Sequence, residues 1–227
     1  MTIGTLNEKP LHAALKEWCA RPDDRFEVAV DGYVIDIVRG DRLIEIQTRS
    51  FAALKAKLAR LVETHAVHLV YPVAAEKWIV RVDDDGAALG RRKSRLRGSF
   101  MQVAHELVSF PRLLADPNFT LEVALIREEE VRRRDPARAR NWRRRGWATV
   151  ERRLLEVVDS RVLRTPADLA ALLPAELAEP FTAHDLAAAT GQPLRLSQQL
   201  IYCLRETGVL AEVGKRGRSR LLARADA

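Results

Sequence analysis

Apolar positions along this chain recur in two rhythms. In residues 9–19, KPLHAALKEWC, Leu11, Leu15 and Trp18 fall at helical spacing behind Pro10, which predicts a first helix. From Phe26 to Thr48 the rhythm is that of strands cut by two short turns. Asp31-Gly32 is a strong hairpin signal, and Gly40-Asp41 places Gly first, as a type II′ turn requires. Residues 50–63, SFAALKAKLARLVE, read as an amphipathic helix capped by Ser50. HLVYPV (68–73) and KWIVRV (77–82) read as two short buried strands, the second ended by Asp83-Asp84-Asp85-Gly86. Residues 91–98, RRKSRLRG, read as a basic loop, followed by a helix near 99–109, a short one near 111–115, and a strand at 118–126.

The pattern then changes. Residues 127–147 are densely charged and interrupted by Pro136, which suggests a connecting segment, partly helical, with a helix starting near Trp147 and running through VERRLLEVV. The last third has a helix at 181–191 with Thr182 as cap and Gly191 as stop, and a second helix at 196–208. Two short strands around a basic tip follow at 209–223. The expected division is a domain at 1–127, an Arg-rich connector at 128–149 and a second domain at 150–227. No internal repeat is present.

The first strands carry acids at a fixed interval: Glu27, Asp36 and Glu45 are nine residues apart. Pairing through the two turns sets residue 30 against 33 and 39 against 42. Glu27 then faces Asp36, and Asp36 faces Glu45, so the three acids form one row on one face of the sheet. Opposed side chains have Cβ atoms about 4.5–5.5 Å apart, and like charges there are destabilising. A divalent cation would offset the repulsion. Gln47 projects to the same side as Glu45, while Ile44 and Ile46 face the other. An ordinary solvated sheet face is the competing reading, against which Val28, Val30, Val34 and Val38 in the same strands argue.

Charge sharpens the choice of partner. The 227 residues carry a formal net charge of +7, which favours a polyanion, nucleic acid before membrane. No apolar run reaches the length of a membrane span, so no membrane partner is expected. The N-terminus lacks the pattern of a signal peptide. The two cysteines, Cys19 and Cys203, lie far apart without metal-binding spacing, so a reducing cytoplasm is expected. There is no P-loop, GxGxxG, HExxH or GxSxG pattern, which leaves metal and carboxylate chemistry among the enzyme classes.

The order helix, three-strand meander, helix, strand, with Asp36 near the end of the second strand and Glu45-Ile46-Gln47 on the third, resembles the PD-(D/E)xK (restriction-endonuclease-like) nuclease superfamily over about residues 8–73. The resemblance implies an α/β core in which Asp36 and Glu45 hold Mg²⁺ or Mn²⁺ together with the Ile46 carbonyl. Gln47 occupies the position of the family's Lys and would place a water. Glu8 or Glu17 would be the helix acid, and Glu27 a further ligand. Gln in place of Lys removes a cation from the site; Lys55 or Lys57 on the next helix could reach back to supply one. The implied activity is Mg²⁺-dependent cleavage of DNA in defence or repair. The substitution equally leaves open a catalytically inactive nuclease fold acting as a DNA-binding regulator. Cutting both strands calls for two active sites, which keeps a homodimer open.

Residues 150–223 resemble a winged helix, implying a mostly α DNA-binding domain. The polar positions of its second helix, Arg195, Ser197, Gln198, Gln199 and Arg205, are expected to be exposed and to meet base edges. Lys215, Arg216, Arg218 and Arg220 on the wing would meet phosphates. A protein-interaction role for such a module is the alternative. The Arg-rich stretch with Trp142 and Trp147 reads either as a nucleic-acid contact or as a solvated charged helix balanced by Glu128, Glu129 and Glu130.

Overall fold

The computed structural model describes residues 9–135 and 146–225. The chain is a mixed α/β protein. Helix α1 (Pro10–Cys19) precedes the meander β1 (Arg25–Val30), β2 (Tyr33–Arg39) and β3 (Arg42–Ile46). A 3-10 turn (Phe51–Leu54) leads into α2 (Lys55–Leu61). Then come β4 (Ala66–Val82), β5 (Ala88–Lys93), α3 (Ala104–Leu107), β6 (Phe119–Arg134) and β7 (Trp147–Leu163). Helices α4 (Pro166–Ala170), α5 (Ala183–Thr190) and α6 (Leu194–Glu206) and the hairpin β8 (Leu210–Arg216) and β9 (Ser219–Arg224) close the chain. Seven described strands form one sheet in the order β1-β2-β3-β4-β6-β7, with β5 also paired to β4, and β8-β9 form a second. Among the described residues no helix is long and apolar enough to cross a membrane.

The chain forms two compact units, each built from three segments. One comprises the residues up to Asp23, Pro72–Ser99 and Ala124–Ser160; the other Asp24–Tyr71, Phe100–Val123 and Arg161 onward. These boundaries fall neither at 127 nor at 150, because β4, β6 and β7 each begin in one unit and end in the other.

The second unit starts from the meander. Asp31-Gly32 makes the first turn, with Asp31 at φ 49° and Gly32 at φ 80°, the positive values that a primed hairpin turn needs. The pairs Val30↔Tyr33 and Arg39↔Arg42 fix the register expected from the two turns. Strand β4 lies parallel to β3, from Arg42↔Ala66 to Ile46↔Val70. A parallel pair needs a crossover, and the Phe51–Leu61 helical stretch supplies it, with the Ser50 side chain accepting the Ala52 N–H. Phe51 anchors this crossover: it stacks on Phe110 at 5.1 Å and meets Tyr71 edge-on at 4.8 Å. In the same unit α5 begins with a reciprocal cap between Thr182 and Asp185 and ends at Gly191 with φ 64°, as its sequence predicts.

The charged middle of the chain differs from its sequence reading. HLVYPV and KWIVRV belong to one strand, Ala66–Val82, because Ala74-Ala75-Glu76 contains no turn signal and the strands beside it supply backbone partners. Residues 91–93 of the expected basic loop belong to β5, antiparallel to β4 through Trp78↔Lys93 and Val80↔Arg91. Residues 128–134 and 147–149 are strand rather than connector, and the helix expected from Trp147 is β7. Pro136 and Trp142 lie outside the described residues.

Ion pairs take the place of apolar alternation in these strands. Glu128, fully buried, lies 2.6 Å from Arg152 and 2.9 Å from Lys77. Glu130 accepts from Lys77 at 2.8 Å, Arg132 at 2.8 Å and Thr149 at 2.6 Å. Burial opposes the Glu130 charge, but these three donors outweigh it and hold its pKa at about 2. Because this value lies below the ordinary carboxylate value, the stability it contributes is complete above about pH 4.3 and is lost as pH falls towards 2. Acid titration followed by circular dichroism should show a loss of stability across that window. Glu130→Gln should flatten the acid slope while lowering stability at neutral pH.

Candidate functional site

Asp36 and Glu45 come together where the β2–β3 ladder ends. The last pair is Ile37↔Ile44, and one step further Asp36 stands across from Glu45 in the same register. The Asp36 carboxylate accepts the Ile46 N–H at 2.8 Å, so a side chain satisfies a backbone donor at this point. Asp36 is half-buried, and Glu45 is only 5% exposed. Ile35, Ile37, Ile44 and Ile46, which alternate with them, are buried as well.

The cation that faces this pair comes from α2. Lys57 Nζ lies 2.6 Å from Glu45 Oε1 and 2.7 Å from the Val34 carbonyl oxygen, and 5.9 Å from the centre of the Tyr33 ring. The expected reach of a helix lysine back to the acids is thus made by Lys57. Burial raises the pKa of Glu45, and the neighbouring Asp36 raises it further; Lys57 offsets this only in part.

The other expected site residues occupy different settings. Gln47 is drawn into a local turn: its amide nitrogen donates to the Ser50 carbonyl at 3.1 Å, and its oxygen accepts the Arg49 N–H at 3.3 Å. Glu27 keeps the register position opposite Asp36 but has φ 53° and is exposed. Glu8 lies outside the described residues, and Glu17 is exposed on α1. Among the described residues no group of three His, Cys, Asp or Glu side chains is placed to hold a metal ion. The donor chemistry of the pair nevertheless fits Mg²⁺, which is commonly bound through one or two carboxylates and completes its shell with water and substrate phosphate.

On α6, Arg195 and Gln198 are exposed, as expected. Ser197 is fully buried, which corrects its reading as an exposed position: the apolar stripe of Leu196, Leu200, Ile201 and Leu204 carries it inward. Gln199 is half-buried, its Oε1 2.5 Å from His105 Nδ1 on α3. Arg205 lies 3.8 Å and Arg220 3.5 Å from Glu212, and Arg216 pairs with Asp185. Lys215 and Arg218 are exposed at the hairpin tip.

The raised pKa of Glu45 has a consequence for stability. A carboxyl group with a raised native pKa favours the fold below its unfolded pKa, and this advantage disappears as pH rises through the native value. Glu45→Gln, which keeps shape and an acceptor for Lys57, should therefore stabilise the fold at neutral pH, with the gain shrinking on acidification. Thermal melts of both proteins across pH 4–8 measure this, and a variant less stable than the wild type at pH 7 would contradict it.

Comparison with known proteins agrees with the extent of the chain described above. A family described as a domain of unknown function (DUF8091) matches residues 9–164, from just before α1 to just after β7. An uncharacterized protein of Treponema pallidum (strain Nichols) is 35% identical over 223 residues, covering 97% of this chain and 87% of its own length. The likeness to that protein therefore extends into the C-terminal helices and hairpin. No solved structure matches the chain. On the family match and this relative, the chain belongs to the DUF8091 family.

Proposed function

We propose that Asp36 and Glu45 form the centre of a metal-dependent nuclease that hydrolyses DNA phosphodiester bonds. The observation that carries this reading is the placement of two carboxylates side by side, one of them buried, with Lys57 brought to the same point from the next helix. A sheet gains nothing in stability from opposed like charges. A site that must bind a cation and a phosphate gains both ligands and a compensating charge. The element order and the parallel β3–β4 pair support the resemblance to the PD-(D/E)xK superfamily.

Asp36 and Glu45, with the Ile46 carbonyl, would hold Mg²⁺ or Mn²⁺, which when bound lowers the pKa of a coordinated water and neutralises charge on the phosphate. Lys57 favours the charged form of Glu45 and holds its side chain in place, and its ammonium group stands where a phosphate oxygen could be met. It supplies the positive charge that Gln47 lacks, while Gln47 fixes the turn into α2. Helices α5 and α6 with the β8–β9 hairpin act as the DNA-binding part, Arg195 and Gln198 towards bases and Lys215 and Arg218 towards phosphates.

A second reading has a specific observation in its favour. Gln47 engages both ends of its amide with backbone groups of the turn into α2 rather than with the two acids, which suits a nuclease fold that binds DNA as a regulator without cutting.

Supercoiled plasmid incubated with the pure protein and Mg²⁺ or Mn²⁺ distinguishes the two. Nicking by the wild type that is lost in Asp36→Ala and Glu45→Ala, and reduced about 100-fold in Lys57→Gln, is the expected outcome. Retained DNA binding without any nicking would leave the regulator. Nicking that survives removal of both acids would show the site to be elsewhere.

A further inference from the structure

A groove of about 460 Å³ lies between α6 and the β8–β9 hairpin. That volume falls within the range of small-ligand sites, roughly 300–1,000 Å³. Its floor is apolar, made by Ile201 and Leu222, which are 7% and 2% exposed. Tyr202 lies on α6 at its side and is 43% exposed. Gln198, one turn earlier on the same helix face, lines the groove beside it.

The rest of the lining is made of three arginines together with Ala183, His184 and Ser219. Arg205, Arg218 and Arg220 border the groove. The nearby carboxylate, Glu212, is shared between Arg205 at 3.8 Å and Arg220 at 3.5 Å. Arg218 makes no ion pair among the described residues and is exposed. One acid against three guanidinium groups leaves the groove positive. Its ligand therefore carries negative charge, and Tyr202 calls for a flat ring with an accessible face.

We infer that this groove binds an unpaired nucleotide of DNA, with the base stacked on Tyr202 and its phosphate held by Arg218 and Arg220. A paired base inside a duplex has both faces covered by its neighbours, so only a nucleotide in an overhang, flap or gap can offer a face to Tyr202. Stacking of this kind is tolerant of sequence. Gln198 can hydrogen-bond to the edge of the stacked base. The inference rests on the DNA-binding role given above to α6 and the hairpin, and it names the form of DNA recognised: duplex next to single strand.

The test is fluorescence anisotropy with the full chain in EDTA, so that nothing is cut. The labelled probes are a blunt duplex and the same duplex with a six-nucleotide overhang. Overhang DNA is expected to bind about tenfold more tightly. Tyr202→Ala should abolish that difference and leave blunt-duplex affinity unchanged, whereas Tyr202→Phe should retain it. Arg218→Ala should lower the salt slope on overhang DNA by about one. Equal binding of the two probes by the wild type, binding of neither, or equal weakening of both by Tyr202→Ala would overturn the inference. Since no metal is present, the result is separate from the plasmid assay. Nicking without overhang preference keeps the nuclease and removes the groove site, and overhang preference without nicking does the reverse.

Discussion

A half-buried lysine set against a buried glutamate holds the candidate centre together. Burial and the neighbouring Asp36 both oppose the charge of Glu45, and Lys57 meets it at 2.6 Å. The contact also ties α2 to the sheet, because the same ammonium group bonds to Glu45 on β3 and to the Val34 carbonyl on β2. Asp36 adds a further link by taking the Ile46 N–H. The parallel β3–β4 pair, the crossover between them and the position of the two acids therefore depend on one another.

The other unit treats its buried acids differently. Glu128 and Glu130 are as buried as Glu45, but they sit among Lys77, Arg132 and Arg152, with Thr149 as an additional donor. There the donors to Glu130 outweigh its burial and its pKa falls; at Glu45 burial, reinforced by Asp36, outweighs Lys57 and the pKa rises. The first arrangement is a network of ion pairs and hydrogen bonds that links β4, β6 and β7. The second sets two carboxylates beside one lysine, which offsets the burial of Glu45 only in part.

Much of the candidate centre was legible because period and turn chemistry determine it. Asp31-Gly32 and Gly40-Asp41 fixed the register, and the register placed Asp36 across from Glu45. The short helices α5 and α6 and their hairpin were legible from caps and glycines. The first half of β6 was legible from Phe119, Leu121 and Val123, but its second half and β7 were hidden, because Glu128 and Glu130 find partners in Lys77 and Arg152 on other strands and leave no local trace. Glu27 could not be placed from spacing alone, since its φ of 53° is a backbone property that alternation does not encode. Gln47 was assigned by position in a motif, whereas its amide follows the turn into Ser50. The approach of Lys57 was open in the sequence only as one of two lysines at suitable reach.

The order of segments in the chain also bears on biosynthesis. The unit that holds Asp36 and Glu45 opens with residues 24–71 but takes its last segment from Arg161 onward, whereas the other unit is whole once Ser160 has been added. A chain leaving the ribosome N-terminus first therefore presents the meander and α2 early and the helices that complete the same unit last. His105 and Arg112 wait for Gln199 and Glu206, each 94 residues later in the chain. A message broken shortly after codon 160 yields a chain with one unit complete and the acid-bearing unit missing its final third segment.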